Sequence, residues 1–551
     1  MMTHRYLTSA LVTLAACLTP ALAAAQHDPS RSHEPRPTAA GITEGDLRTR
    51  LFIFADDSMM GREAGTEGHL KSIEYIAAEL RRLGLEPAGD SGTYFQAVPL
   101  VRRALDEAST VTVGGEALTL WTDVVPVRAG AATEVTPVYG GVLHDSSTWI
   151  ARDAARGRLV VLHAPRPPIS LTMMREGARY EHAAAMAIVA PPQLLQAYTN
   201  FLRRPQVSLR QEQQAATVPV MLLSGEAAAR VLGATVEQSQ PGRTGAPARV
   251  NFAYAEASVP ARNVIAVLPG SDPALSGQYV AIGAHSDHDG VAAAPVDHDS
   301  LRAFNAEVER RAQAKGGSLT AAERREIVVN VDSLRAIRPT RLDSIYNGAD
   351  DDGSGSVAVL EIAEAMAAAA QKPRRSMLFV WHTAEEKGLI GADWYTAHPT
   401  VPRDSIVAQL NIDMIGRGGA DDIPNGGPTY LQLIGSRRLS TQLGDLVEEV
   451  NKERRTPFVF DYQFDASGHP EQYYCRSDHY MYARYGIPVV FFSTGDHRDY
   501  HQLTDEPQYI NYENLTNVTQ LIHDVGLRVA NLDARVVVDQ PRPPLGAACR
   551  Q

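Results

Sequence analysis

Cysteine is scarce in this chain: three in 551 residues, at Cys17, Cys475 and Cys549. No two of them stand at a zinc-ligand spacing, so thiolate metal sites are excluded and any metal must be held by histidine and carboxylates. Blocks rich in Lys and Arg are also missing, and the formal net charge is −12. Both features argue against a nucleic-acid or anionic-membrane partner and suit a small or neutral substrate. Apolar runs are short, and even the N-terminal one is too short to span a bilayer unaided, so no integral membrane span is expected once the leader is processed.

That leader, "MMTHRYLTSALVTLAACLTPALAAAQ", has a basic start, a short apolar stretch and small residues around Ala23 to Ala25. It predicts a signal peptide over residues 1–25 and export to the periplasm or outside the cell. Leu14-Ala15-Ala16-Cys17 also resembles a lipobox, which would leave Cys17 as a lipid anchor; the apolar run continues to Leu22, which favours ordinary cleavage. After cleavage Cys475 and Cys549 remain, either paired and pinning the C-terminal tail or as two free thiols.

A chain of 551 residues is too long for one core, and 44 % apolar with 21 % charged residues is ordinary globular composition. "HLKSIEYIAAELRRLGLEP" carries apolar residues at Leu70, Ile73, Ile76, Ala77 and Leu80 before Gly84, an amphipathic helix with a stop. From about residue 108 the texture becomes short β-like runs such as "GRLVVLHAP" and "TVPVMLLS". After "PARNVIAVLPG" strands and helices alternate: "QYVAIGAH", "SVAVLEIAEAMAAAA", "SMLFVWH", "SIVAQLNID", "IPVVFFST" and a last helix near 513–531. Continuous apolar strands between helices predict an α/β fold, a mostly parallel sheet with helices on both faces, interrupted by a β-rich insert. The boundaries read as 42–110 and 255–535 for the main domain, 111–252 for the insert and 536–551 for a tail. A charged helical insertion over 291–346 is longer than an ordinary βα connection; it is either a flap near the site or a solvated excursion.

Five stretches fall at or just after strand ends: "GAHSDHDG" with His285 and Asp287, "NGADDDGSGS" with Asp350 to Asp352, "TAEEKG" with Glu385 and Glu386, "NIDMIGR" with Asp413, and "DYHQLTDEP" with His501 and Asp505. Singly, each reads as a turn, a cap or a structural histidine. Together at one sheet rim their carboxylates would repel unless cations were present. Imidazole plus carboxylate suits catalytic zinc, and two zinc ions about 3.5–4 Å apart need a bridging carboxylate, for which Asp351 in its Gly-rich turn is suited.

This set, with "GREAGTEG" at Gly61 to Gly68, "AEEKGLIG", "RSDHYMYARYGIPVVFF" and "YHQLTD", resembles the two-zinc aminopeptidases of the MH clan, a group that also holds glutamate-carboxypeptidase-like and glutaminyl-cyclase-like members. The resemblance implies that His285 and Asp413 hold one zinc, Glu386 and His501 the other, and Asp351 bridges them, two zinc ions per chain. It implies Glu385 as general base and then acid, Asp287 orienting His285, Asp505 orienting His501, and Tyr500 as a donor to the developing oxyanion. Asp478 and His479 are expected to have structural roles near the pocket, Arg417 an internal salt bridge, and the "DHD" runs at 287–289 and 297–299 a polar loop rather than a third metal site. The insert at 111–252 resembles a protease-associated domain. The implied function is an exported zinc aminopeptidase acting on peptides. A carboxypeptidase-like or dipeptidase-like hydrolase or a glutaminyl cyclase on the same fold is the alternative.

Overall fold

The computed structural model describes residues 31–165, 180, 182–210, 218–423 and 425–551; the leader and Cys17 lie outside them. The chain divides into two units, Met1–Gln96 with Arg262–Gln551, and Ala97–Ala261.

The first unit contains, in chain order, α1 (Glu44–Phe54), α2 (Glu67–Arg82), β1 (Arg262–Leu268), β2 (Tyr279–His285), β3 (Val291–Asp297), α3 (His298–Lys315), β4 (Leu342–Ile345), α4 (Gly355–Ala368), β5 (Ser376–His382), α5 (Ile390–Ala397), β6 (Ile406–Ile412), β7 (Tyr430–Ile434), α6 (Thr441–Glu453), β8 (Val459–Asp461), α7 (His479–Ala483), β9 (Val489–Ser493) and α8 (Tyr512–Ala530), with shorter elements between them. The spatial order β1-β5-β2-β6-β9-β7-β8 forms the central sheet. Its middle four strands, β5, β2, β6 and β9, run parallel, while β1 joins antiparallel to β5 and β7 antiparallel to β9.

Strand periodicity explains why both faces are covered. In β5, Met377, Phe379 and Trp381 enter one hydrophobic core while Leu378 and Val380 enter a second on the opposite face. The same alternation places Val280, Ile282 and Ala284 of β2 in the first core and Ala281 in the second. Helices α1, α2, α4, α6 and α8 supply the first core, and Tyr395 of α5 with Tyr480 and Tyr482 of α7 supply the second. In α2, Ile73, Ile76, Ala77 and Leu80 are fully buried, Thr66 caps the first turn by accepting from the His69 amide, and Gly84 past its end has φ +73°.

Because four neighbouring strands point the same way, their C-terminal ends share one rim. His285 ends β2, the Glu385–Glu386 pair follows β5, Asp413 follows β6 and His501 follows β9. This is where an α/β sheet places ligands. The stretch 291–346 is not wholly helical: β3 and β4 pair antiparallel, Val291 opposite Ile345 and Asp297 opposite Leu342, so the long excursion is closed at its root by a ribbon. Cys475 and Cys549 form a disulfide, settling the choice that the sequence left open, and Gln551 accepts from the Tyr474 amide at 3.0 Å beside it.

The second unit is β-rich. Its five-stranded sheet runs Val124–Arg128, Val220–Leu223, Ala185–Val189, Leu159–His163, Pro137–Val142, with parallel pairing from Val220–Leu223 onward. A four-stranded antiparallel sheet around Ala248–Phe252 and a three-stranded one around Leu100–Leu105 complete it.

Candidate metal centre

The five residues expected as ligands converge. His285 Nε2 lies 3.1 Å from Asp351 Oδ1 and 3.5 Å from Asp413 Oδ1. His501 Nε2 lies 3.1 Å from Asp351 Oδ2 and 3.3 Å from Glu386 Oε2. Asp351 thus offers one oxygen to each imidazole. Two atoms bound to one zinc at about 2.0–2.2 Å and a tetrahedral angle stand roughly 3.3 Å apart, so both groups have the spacing of ligands sharing an ion. The donor set also fits zinc chemically, with nitrogen and oxygen donors and no thiolate.

Backbone anchoring accounts for this convergence. Asp352, fully buried, accepts from the amides of His285 (3.1 Å), Met414 (3.2 Å) and Gly355 (2.9 Å), tying the ends of β2 and β6 to the start of α4. Asp350 accepts from the Gly416 amide at 2.6 Å and faces His497 Nε2 at 3.2 Å. All three aspartates of the "DDD" run are therefore engaged: the middle one faces the imidazoles and its neighbours hold the loop.

Arg62, in the "GREAGTEG" stretch, is also fully buried, and its guanidinium donates to the carbonyls of Ser286, Phe54, Asn347 and Gly348. It stitches the His285 loop to the Asp351 loop. Burial lowers its pKa to about 10, against the pull of Asp505, Asp351, Asp352 and Asp287, so it stays cationic at neutral pH. Beside it, Gly61 has φ +65° and a Cβ there would meet the Gly290 carbonyl oxygen at 2.1 Å, so glycine is required.

Two orienting roles differ from expectation. Asp505 does not touch His501; its carboxylate accepts from the amides of Asp350 and Asp351 at 3.0–3.1 Å. Asp289 instead faces His501 Nδ1 at 3.0 Å. The His285 Nδ1 partner is the Asp287 backbone carbonyl at 3.1 Å, with the Asp287 carboxylate 3.9 Å away; that carboxylate accepts from the Glu385 amide at 3.0 Å. Burial raises the Asp287 pKa to about 7. His288, not singled out from the sequence, meets Glu386 Oε1 at 2.8 Å with Nδ1. The signal for both missed residues was present in "HSDHDG", where a second His and a second Asp sit beside a ligand.

Glu385 and Tyr500 line the same cleft as the five convergent residues, with Arg476 and Tyr473. Burial pushes the Glu385 carboxyl well above its ordinary value, with His285 opposing and Glu386 and Asp413 adding to the rise. Arg476 donates to the Tyr500 hydroxyl at 3.1 Å, which leaves the phenolic hydrogen free to donate; burial raises the phenol's pKa, helped by Asp351 and Asp496. A buried chain runs from Gln409 to Asn411 to Ser477, whose hydroxyl donates to Asp413 Oδ2 at 2.7 Å.

Other candidates lie outside the centre. Arg417 pairs with Asp422 and with Asp499 at 3.1 Å, an internal salt bridge. Asp478 faces His382 Nδ1 at 3.0 Å and His479 stacks on Phe491 at 4.8 Å. Asp297 and Asp299 pair with Arg335, and Asp299 also with Arg338, while His298 between them faces Glu506 and gathers with Asp343 and Glu506.

Residues 263–526 match the model of Peptidase family M28. Among curated proteins, leupeptin-inactivating enzyme 1 of Streptomyces exfoliatus is 45 % identical over 80 residues, 14 % of this chain and 18 % of that protein. Leucine aminopeptidase 1 of Penicillium rubens is 27 % identical over 197 residues, 33 % of this chain and 47 % of that protein. The chain thus spans less than half the length of either relative. A solved aminopeptidase from Aneurinibacillus sp. strain AM-1 superposes with a TM-score of 0.49 at 18 % identity, covering 91 % of this chain and 97 % of that one. Among the described residues, no helix is long and apolar enough to cross a membrane.

Proposed function

From the match of residues 263–526 to Peptidase family M28 we propose that the chain is a member of that family and an exported aminopeptidase with a co-catalytic pair of zinc ions. The observation that carries this reading is Asp351, with its two oxygens each 3.1 Å from a different imidazole. His285 and Asp413 would hold one ion and Glu386 and His501 the other, with Asp351 within reach of both. Bound there, zinc supplies Lewis acidity to a scissile carbonyl and lowers the pKa of water. Glu385 takes a proton from the attacking water and returns it to the leaving amine, the role a raised carboxyl pKa suits. Asp287 fixes the Glu385 backbone, and Tyr500 donates to the oxygen that gains charge. Residues 1–25 act as the export signal. The Cys475–Cys549 disulfide supports an oxidising compartment.

Arg476 in the cleft favours a second reading, a dipeptidase-like enzyme in which the guanidinium meets a substrate carboxylate. Asp496 lies 3.7 Å from it and partly neutralises it. Both sets of ligands being complete argues against a single-zinc glutaminyl cyclase.

The test is a panel of aminoacyl chromogenic amides, their N-blocked forms and free dipeptides, run on the wild type and Glu385→Gln. Cleavage of free-amine amides alone, with turnover falling about 10²–10⁴-fold in a variant that keeps its zinc, is expected. Cleavage of N-blocked amides, or turnover unchanged in the variant, contradicts the reading; cleavage confined to dipeptides moves it to the second.

A further inference from the structure

We infer that the insertion between residues 291 and 345 is a positioning element for His501: α3 clamps the loop that carries this imidazole and so sets the affinity of one of the two metal positions. The inference rests on the reading of His501 as a ligand.

Residues 298, 302, 305 and 309 lie four, seven and eleven positions along α3, the spacing of one helix face. Each meets the segment 498–509. His298 Nε2 lies 2.9 Å from Glu506 Oε2, and its ring stacks on Tyr509 at 6.1 Å. The Arg302 guanidinium sits 3.4 Å over the Tyr509 ring and 3.5 Å from Asp499 Oδ2. Asn305 Nδ2 donates to Thr504 Oγ1 at 3.4 Å, and Glu309 faces Arg498 at 3.8 Å. A solvated excursion would present this polar face to water, yet His298, Asn305, Asp499 and Thr504 are all buried.

The grip falls on both sides of His501. Asp499, two residues before it, and Thr504, three after, are bound to each other at 2.7 Å and to α3. Between them His501 has φ +53° and is one-third exposed, so its own packing does not fix it. The ribbon of β3 and β4 begins next to Asp289, the residue that faces His501 Nδ1. Loop and orienting carboxylate are therefore both tied to the insertion. Among the described residues, nothing comparable joins α3 to His285 or Asp413, which are held by Asp352 and Ser477. Loosening α3 should therefore weaken the His501 position most, since it reaches the other only through Asp505 and the Asp351 amide, whereas a general loss of stability would weaken both equally.

The experiment is zinc titration by calorimetry, with ¹¹³Cd NMR of the cadmium-loaded protein, on the full chain and on Arg302→Ala with Asn305→Ala, on Arg302→Lys, and on Glu323→Ala as a control in the exposed part of the insertion. The double variant should bind one equivalent as the wild type does and the second about 10–100-fold more weakly, the range for orienting partners of a ligand, with one cadmium resonance displaced. Arg302→Lys, which keeps the charge near Asp499, should recover part of the loss, and it carries the test if the double variant does not fold. Two wild-type affinities in these variants, or equal losses at both positions, overturn the inference. A wild type that binds only one equivalent overturns the reading of His501 itself.

Discussion

Replacing Arg62 by lysine conserves the charge and is still expected to cost several kcal/mol, because the site uses the guanidinium's fork. The guanidinium reaches four carbonyls on three segments, with Nη2 to Gly348 at 2.8 Å and Nε to Ser286 and Nη1 to Phe54 both at 3.3 Å. A lysine ammonium is a point donor on a flexible stem and cannot span the Ser286 and Asn347–Gly348 carbonyls together. Hydrogen bonds to a charged group contribute about 1.5–3 kcal/mol each, and losing two of the four implies a loss of about 3–6 kcal/mol. A domain's whole stability is about 5–15 kcal/mol, so the variant should be marginal. Both loops it joins carry ligands, so zinc affinity should fall at both positions together, unlike the one-sided loss expected at Arg302. Urea unfolding with zinc and with chelator, beside zinc titration, measures both effects. An Arg62→Lys protein within about 1 kcal/mol of the wild type and equal in zinc affinity would refute the stitching role.

The remaining predictions concern stability. Cys549→Ser opens a loop closed across 74 residues of sequence separation; the chain-entropy model gives about 4.5 kcal/mol as the ceiling, so a loss of about 2–4 kcal/mol on urea unfolding is expected, and reductant should reproduce it in the wild type. Burial holds His479 near pKa 3, with Asp478 opposing. Its neutral form therefore favours the fold fully above about pH 6.5, and that contribution is lost as pH falls toward 3, at up to about 1.4 kcal/mol per pH unit. His479→Phe, which keeps a ring against Phe491, should make the stability profile shallower by one proton over that window; an unchanged slope would refute the assignment. Removing zinc from the wild type should lower its midpoint, since Asp351, Glu386 and Asp413 then face one another without cations.

The sheet was legible because its strands repeat one pattern: runs such as "SMLFVWH" and "QYVAIGAH" carry no charged or amide residue between their ends, which a strand covered on both faces requires. His285, Glu386 and Asp413 were legible because each stands at or just past the end of a parallel strand, and such ends share one rim, whereas Asp351 was legible from its Gly-rich turn ahead of α4 and His501 from its motif. What faces an imidazole's far nitrogen is another matter. Asp289 and Asp505 are equally close in sequence to a histidine, and loop packing alone decides that Asp289 meets His501 while Asp505 binds backbone amides. Arg62 lay inside a quoted motif, but its carbonyl partners are 8, 224, 285 and 286 residues away, beyond any local pattern. The same distance hid the ribbon closing the insertion, whose strands β3 and β4 lie on either side of α3.

The central claim is tested most directly by anomalous diffraction from zinc-loaded crystals of the full chain, recorded above and below the zinc edge. The account predicts two peaks about 3.5–4 Å apart, one beside His285 and Asp413 and one beside Glu386 and His501, with Asp351 reaching both. A single peak, or peaks elsewhere, would contradict it.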